Sequence, residues 1–186
     1  MRKNIVLIGF MGTGKSSIGV RLASKLNAEF IDMDREIETL NGMSVSEIFR
    51  RYGERRFRSE ETLMARKLSA REGLIIATGG GAVLNPENIA IFRQNSIIIL
   101  LEASAEDIWT RVNRKKGTRP LLKGASNVAD IEKLLAVRAP YYDCADIRVN
   151  TSDKELEFII REILQKIKEV SDPGGDNYQN ALNRPQ

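Results

Sequence analysis

Asn4-Ile5-Val6-Leu7-Ile8-Gly9-Phe10-Met11-Gly12-Thr13-Gly14-Lys15-Ser16-Ser17 sets a short apolar run directly against a glycine-spaced loop. Ile5 to Ile8 have the composition of a strand buried on both faces, as in a parallel sheet. Gly9, Gly14, Lys15 and Ser16 complete Gly-x-x-x-x-Gly-Lys-Ser, the spacing of a phosphate-binding loop. The chemistry follows from the backbone. Past Gly9 the chain must curl so that successive N–H groups face one concavity, and glycine permits those dihedrals. The helix that starts there offers its positive end to the same anion. Lys15 adds a point charge at the β- and γ-phosphates, and the Ser16 hydroxyl is a ligand for Mg²⁺. Strand, loop and helix in this order predict a nucleoside-triphosphate site at the head of an α/β domain.

Outward from the loop, strand-like and helix-like patterns alternate. Ile18, Leu22 and Leu26 recur at four-residue spacing and predict one apolar helix face. Phe30-Ile31 predicts a brief strand leading into Asp32-Met33-Asp34, then a short helix closed by Asn41-Gly42. Ser44-Val45-Ser46-Glu47 reads as a capping box, and Gly53 ends the turn it opens. Residues 54–71 predict a long helix with Phe57, Leu63, Met64 and Leu68 inward. Leu74-Ile75-Ile76-Ala77 is a second buried strand running into Thr78-Gly79-Gly80-Gly81. Ile97-Ile98-Ile99-Leu100-Leu101 is the most apolar run and predicts a central strand. Further helices are predicted over 86–92, 105–112, 128–138 and 156–170, with a short strand at Ile147-Arg148-Val149. Such alternation means a parallel sheet with helices on both faces, a three-layer α/β/α domain. Ligands of such sheets sit beyond the C-terminal strand ends. Gly9 onward, Asp32, Asp34 and the triple glycine all follow strands, so they are expected to meet in one cleft.

Composition narrows the chemistry. The 186 residues suit one α/β domain, expected over 1–170 with a flexible tail over 171–186. The net charge of +4 is mild and suits an anionic small molecule at least as well as nucleic acid. The chain has one cysteine, Cys144, and no histidine. That excludes an internal disulfide, zinc sites built on Cys and His, and any histidine-based triad. Proton transfer falls to carboxylates, lysine or tyrosine. No apolar stretch is long enough to span a membrane, and a cytoplasmic protein without a signal peptide is expected.

Four constellations carry further chemistry. Asp32 and Asp34, two apart on an extended segment, would point the same way, one serving Mg²⁺ through water and the other an acceptor hydroxyl. Arg55-Arg56-x-Arg58 opens a helix with Glu61 one turn after Arg58, where it can hold the guanidinium still for a carboxylate; a solvated charged face fits the same spacing. Three consecutive glycines at 79–81 leave backbone N–H groups bare and allow close approach of a ligand. Arg111, Arg114, Lys115, Lys116, Arg119 and Lys123 crowd one loop. No aromatic side chain lies between 113 and 123 to stack on bases, so a mobile lid bringing Arg119 to the transferring phosphate is favoured over a nucleic-acid surface. A nucleotide switch is disfavoured as well, because Asn127-Val128-Ala129-Asp130 lacks the lysine of the guanine-reading pattern.

Taken together, the segment from Gly9 to Ser16, Asp32-Met33-Asp34, Phe57-Arg58 with Glu61, Thr78 to Gly81, Arg119-Pro120-Leu121-Leu122 and Arg138-Ala139-Pro140-Tyr141-Tyr142 resemble shikimate kinase, over about residues 3–169. The resemblance implies a P-loop, nucleoside-monophosphate-kinase-like fold with a five-stranded parallel sheet in order 2-3-1-4-5. It also implies a substrate-binding subdomain at about 33–61 and a lid at about 112–125. The implied reaction is ATP-dependent phosphorylation of the 3-hydroxyl of shikimate, in the route to chorismate and aromatic amino acids. By resemblance, Gly12, Thr13, Gly14, Lys15, Ser16, Ser17 and Arg119 bind ATP. Ser16 ligates Mg²⁺ with Asp32 in its outer shell, and Asp34 meets the attacking hydroxyl as candidate base. Arg58 and Arg138 grip the shikimate carboxylate, Gly79, Gly80 and Gly81 line the pocket, and Lys15 and Arg119 act on the transferring phosphate. The adenine contact stays open between Arg111 and Arg114, with the region around 153–155 also near. A monomer is expected, with no nucleic-acid or membrane partner. A kinase for another small hydroxylated acid, such as gluconate, is the alternative.

Overall fold

Five strands pair side by side because a buried backbone can be satisfied only through neighbouring strands; the runs at 4–8, 74–77 and 96–101 are buried throughout, whereas those at 29–32 and 147–150 leave alternate or flanking side chains partly exposed. The computed structural model describes residues 3–113 and 127–171. In chain order the elements are β1 (Asn4–Ile8), α1 (Lys15–Leu26), β2 (Glu29–Asp32), α2 (Met33–Asn41), α3 (Val45–Ser69), β3 (Leu74–Ala77) and α4 (Pro86–Arg93). They continue with β4 (Ser96–Glu102), α5 (Ala105–Asn113), α6 (Val128–Arg138), β5 (Ile147–Asn150) and α7 (Leu156–Ser171). The strands form one sheet in order β2-β3-β1-β4-β5, and every pairing is parallel. This is the expected order.

Alternation along each strand feeds two cores. Val6 and Ile8 of β1 face Ile37, Phe57, Met64, Leu68 and Phe92, carried by α2, α3 and α4. Ile5 and Leu7 face Ile18, Leu22, Ile159, Ile160 and Ile163 of α1 and α7. At the C-terminal edge of the sheet a third cluster forms. Phe10 and Met11 of the loop pack there with Ile108 and Val112 of α5 and Ile131 of α6. Buried Asn4 pins the opposite edge. Its Oδ1 accepts from the Leu74 amide at 2.9 Å and its Nδ2 donates to the Arg71 carbonyl at 2.8 Å, aligning the starts of β1 and β3.

Two expectations need correction. Leu63 is not inward but 62% exposed, while Glu61 is fully buried. The inward stripe of α3 is Phe57, Glu61, Met64, Ala65 and Leu68, and Leu63 falls off its edge. An apolar side chain was read as core, yet the helix turns a carboxylate inward. Gly53 does break α3 as read, at φ 78° and ψ 172°. The second correction concerns the aspartates. Only Asp32 is on a strand, while Asp34 lies in the first turn of α2. They converge because the helix begins at once after β2, not because an extended segment points them the same way.

Candidate active site

The site grows from the end of β1. The loop runs from Gly9 into α1, and three of its glycines take positive φ: Gly9 at 141°, Gly12 at 82° and Gly14 at 94°. Thr13 Oγ1 donates to the Phe10 carbonyl at 2.8 Å and ties the curl together. The Lys15 ammonium donates to the carbonyls of Gly9 at 2.8 Å and Phe10 at 2.9 Å, so a nearly buried cation is held across the loop. In the first turn of α1, Ser16 Oγ donates to Asp32 Oδ2 at 2.6 Å, joining the helix start to the end of β2.

A cavity of about 630 Å³ opens along this edge, reached by Lys15, Ser16, Asp32, Asp34, Glu61 and the residues 78–81. The expected cleft therefore exists, with the three strand ends in one wall. The triple glycine serves it differently from a phosphate loop. None of residues 79–81 takes positive φ. They are glycines for room. A Cβ on Gly79 would stand 2.6 Å from Asp34 Oδ1 and 2.8 Å from Glu61 Oε1, and one on Gly81 would stand 2.6 Å from Arg58 Nη1. Charged side chains reach this wall because it has none of its own.

Both acid groups there are unusual. Asp34 Oδ1 and Glu61 Oε1 are buried with no hydrogen-bond partner among the described residues, which is costly unless a ligand supplies donors. Burial pushes the Asp34 carboxyl up to about 6, helped by the charge of Asp32 and opposed by Lys15. Burial likewise raises Glu61 to about 7, against the pull of Arg58. Arg58 Nη1 donates to Glu61 Oε2 at 2.7 Å, and its Nη2 donates to Glu54 Oε1 at 2.8 Å. Arg138 ends α6 and is buried, with Nη1 donating to the Gly80 carbonyl at 2.9 Å. Both arginines thus rest on the glycine wall, from α3 and from α6, rather than lining the cavity itself.

Glu61 gives a pH test with a definite sign. Between its unfolded value near 4.5 and its folded value near 7, the native state holds a proton that the unfolded chain has released. Its contribution to stability is therefore full below 4.5 and lost as pH rises through 7. Asp34, raised to about 6, shares in this slope at pH 6 and its share falls away towards pH 7. Denaturant melts of Glu61→Gln are expected to flatten the decline of stability between pH 6 and 7, by up to about 1.4 kcal/mol per pH unit. An unchanged slope would mean that Glu61 is ionised throughout.

Arg111 is also fixed at this edge. Its guanidinium donates to the carbonyls of Gly12 at 3.4 Å and Thr151 at 3.0 Å, to Thr151 Oγ1 at 3.2 Å and to Asp107 Oδ2 at 3.1 Å. Arg114, Arg119 and most of the expected lid lie outside the described residues, as does the expected tail after Ser171. Sequence reasoning missed Thr151, which links β5 to the loop through the Thr13 carbonyl at 3.2 Å; a lone threonine after a strand carries no signal. It also missed the burial of Glu61, which was visible only as a partner for Arg58. No helix among the described residues is long and apolar enough to cross a membrane.

A phosphate loop with Lys-Ser, an aspartate pair where β2 passes into α2 and a charged, glycine-walled pocket define a P-loop kinase acting on a small molecule. Comparison with known proteins narrows the class. The shikimate kinase family model matches residues 11–168. Shikimate kinase of Pelotomaculum thermopropionicum is 49% identical over 167 residues, covering 90% of this chain and 96% of that one. Among solved structures, shikimate kinase from Acinetobacter baumannii in complex with shikimate superposes with a TM-score of 0.84 at 36% identity, covering 91% and 94% of the two chains. This chain belongs to the shikimate kinase family. A gluconokinase from Sinorhizobium meliloti superposes with a TM-score of 0.57 at 16% identity, over 93% of this chain and 97% of that one, which shows the shared fold alone.

Proposed function

We propose that this protein transfers the γ-phosphoryl group of ATP to the 3-hydroxyl of shikimate. One observation carries the assignment of roles. Lys15 and Ser16 of the phosphate loop share a cavity with the Asp34 carboxylate oxygen that has no hydrogen-bond partner among the described residues, and with the glycine wall that two arginines back.

Loop amides from Gly12 to Ser17 and the Lys15 ammonium bind the ATP phosphates, and Arg111 borders the nucleotide side. Ser16 Oγ and Asp32 are hard oxygen donors 2.6 Å apart. The described residues contain no cluster of three or more acidic, cysteine or histidine ligands. That donor set fits Mg²⁺, which takes one or two protein oxygens and completes its shell with water and phosphate. Bound there, Mg²⁺ would neutralise charge on the phosphates. Asp34 Oδ1 accepts the proton of the acceptor hydroxyl as that oxygen bonds to phosphorus and the bond to ADP breaks. Little base strength is needed in a loose transition state, so the main task of Asp34 is orientation. Arg58 and Arg138 take the acceptor carboxylate at residues 80–81. The lid at 112–125 with Arg119, and the subdomain at 33–61, belong to the same proposal.

Truncating Arg58 or Arg138 to Ala is expected to raise the shikimate KM by roughly 10- to 100-fold, in keeping with loss of a charge-assisted bond. The KM for ATP is expected to change little. An unchanged shikimate KM would move the carboxylate site elsewhere. The reading as a whole is tested by coupled measurement of ADP release with shikimate, with gluconate and with no acceptor. Release that depends on shikimate supports it, and release that depends only on gluconate overturns it.

A further inference from the structure

Phe10 occupies one of the variable positions of the phosphate loop pattern, where the motif itself asks for no particular side chain. The structure gives it two contacts on opposite sides of the reaction. Its carbonyl accepts from Lys15 Nζ at 2.9 Å, on the phosphate side. Its ring lies against Arg138, whose guanidinium carbon stands 4.9 Å from the ring centroid. That distance is within the range in which a cation is attracted by the negative ring face.

The ring is itself immobilised. Phe10 is 1% exposed and packs with Met11, Ile108, Val112 and Ile131. Ile131 and Arg138 lie seven residues apart on α6, two helical turns along one face, so the same side of α6 brings both to the ring. Arg138 needs such support. It is the last residue of α6, and a long side chain at a helix end has many rotamers to lose. Of its five N–H donors, one on Nη1 goes to the Gly80 carbonyl and the Tyr142 hydroxyl lies against another, while the ring contact requires none of the rest. A ring on one side and a carbonyl on the other hold the guanidinium while leaving donors for an anion.

We infer that the Phe10 ring is a positioning residue for the acceptor substrate, holding the Arg138 guanidinium in the pose that receives the carboxylate. The phosphate loop thereby helps to build the acceptor pocket as well as the nucleotide site. This rests on the proposed role of Arg138.

A purely structural role for the ring makes a different forecast, and fluorination separates the two. Phenylalanines bearing one to five fluorines, placed at position 10 of the full chain, nearly keep its shape while draining the negative potential of its face. The shikimate KM is expected to rise stepwise with fluorine number, reaching roughly three- to thirtyfold. The kcat and the KM for ATP should stay within about twofold, since no transition-state contact is touched. Phe10→Leu, checked for folding by its melting temperature, is expected to match the top of the series. In the Arg138→Ala background the series should go flat. A flat series in the otherwise native enzyme overturns the inference, and so does an equal rise in the Arg138→Ala background. A wild-type enzyme with no shikimate-dependent ADP release overturns both the inference and the proposed function. A flat series in an active enzyme overturns only the inference.

Discussion

Asp34→Asn is expected to lower kcat by roughly two to three orders of magnitude while leaving the KM for ATP within about twofold. Asparagine keeps the size of the side chain and its place in the first turn of α2. What it loses is the ability to accept a proton and to hold a full negative charge against the attacking hydroxyl. The structure makes this carboxylate unusually consequential, because its Oδ1 is buried at Gly79 with no hydrogen-bond partner among the described residues. Burial first, and the charge of Asp32 second, raise its carboxyl to about 6, close to the range of a working general base. Lys15 and, after it, Arg58 counter this rise; Lys15 is also held by the carbonyls of Gly9 and Phe10, so nucleotide binding should survive the substitution. Steady-state kinetics with each substrate varied in turn gives the answer. Normal turnover by the Asn variant would remove Asp34 from the reaction, and a large rise in the ATP KM would make it part of the nucleotide site.

Gly9→Ala is expected to damage the fold as well as the site. Gly9 has φ 141°, a conformation that L residues rarely adopt. An added Cβ would stand 2.3 Å from the Leu101 carbonyl oxygen and 3.1 Å from Thr13 Oγ1. Leu101 belongs to β4, fully buried beside β1, so its backbone cannot give way without opening the sheet. Backbone strain and overpacking together should cost roughly 3 kcal/mol or more, which for a chain of this length lowers Tm by about 6–12 °C. Weaker ATP binding is expected with it, since the curl of the loop starts there. Gly42→Ala is the control. Gly42 has φ 62° but nothing within 4 Å of an added Cβ, so only left-handed strain of about 1 kcal/mol applies. If the Gly9 variant melts no lower than the Gly42 variant, the close approach to β4 is not rigid.

Much of this was legible in the residues. Strand composition and helix spacing predicted the alternation of elements, because burial on both faces demands continuous apolar runs and burial on one face demands a period near 3.6. The loop and the aspartates were recognisable because their chemistry fixes residue type and spacing together. Where the reading failed, the missing information was tertiary. Leu63 looked like core because it is apolar, but the packing of α3 against α4 and the sheet turned Glu61 inward instead. Asp32 and Asp34 met the cavity as expected, through a strand-to-helix step that spacing alone did not distinguish from a longer strand.

By itself, then, the sequence determined a nucleotide-binding loop, a parallel α/β domain and the family whose motifs it carries, since these depend on local pattern and on residue chemistry at fixed spacing. Only the tertiary structure decided why the three glycines at 79–81 are glycines, which carboxylate oxygens stand buried without a hydrogen-bond partner among the described residues, and that Phe10 reaches Arg138. Each of these is a contact between elements far apart in the chain. Such contacts are set by how helices seat on the sheet, a property of the whole packed core that no local window of residues contains.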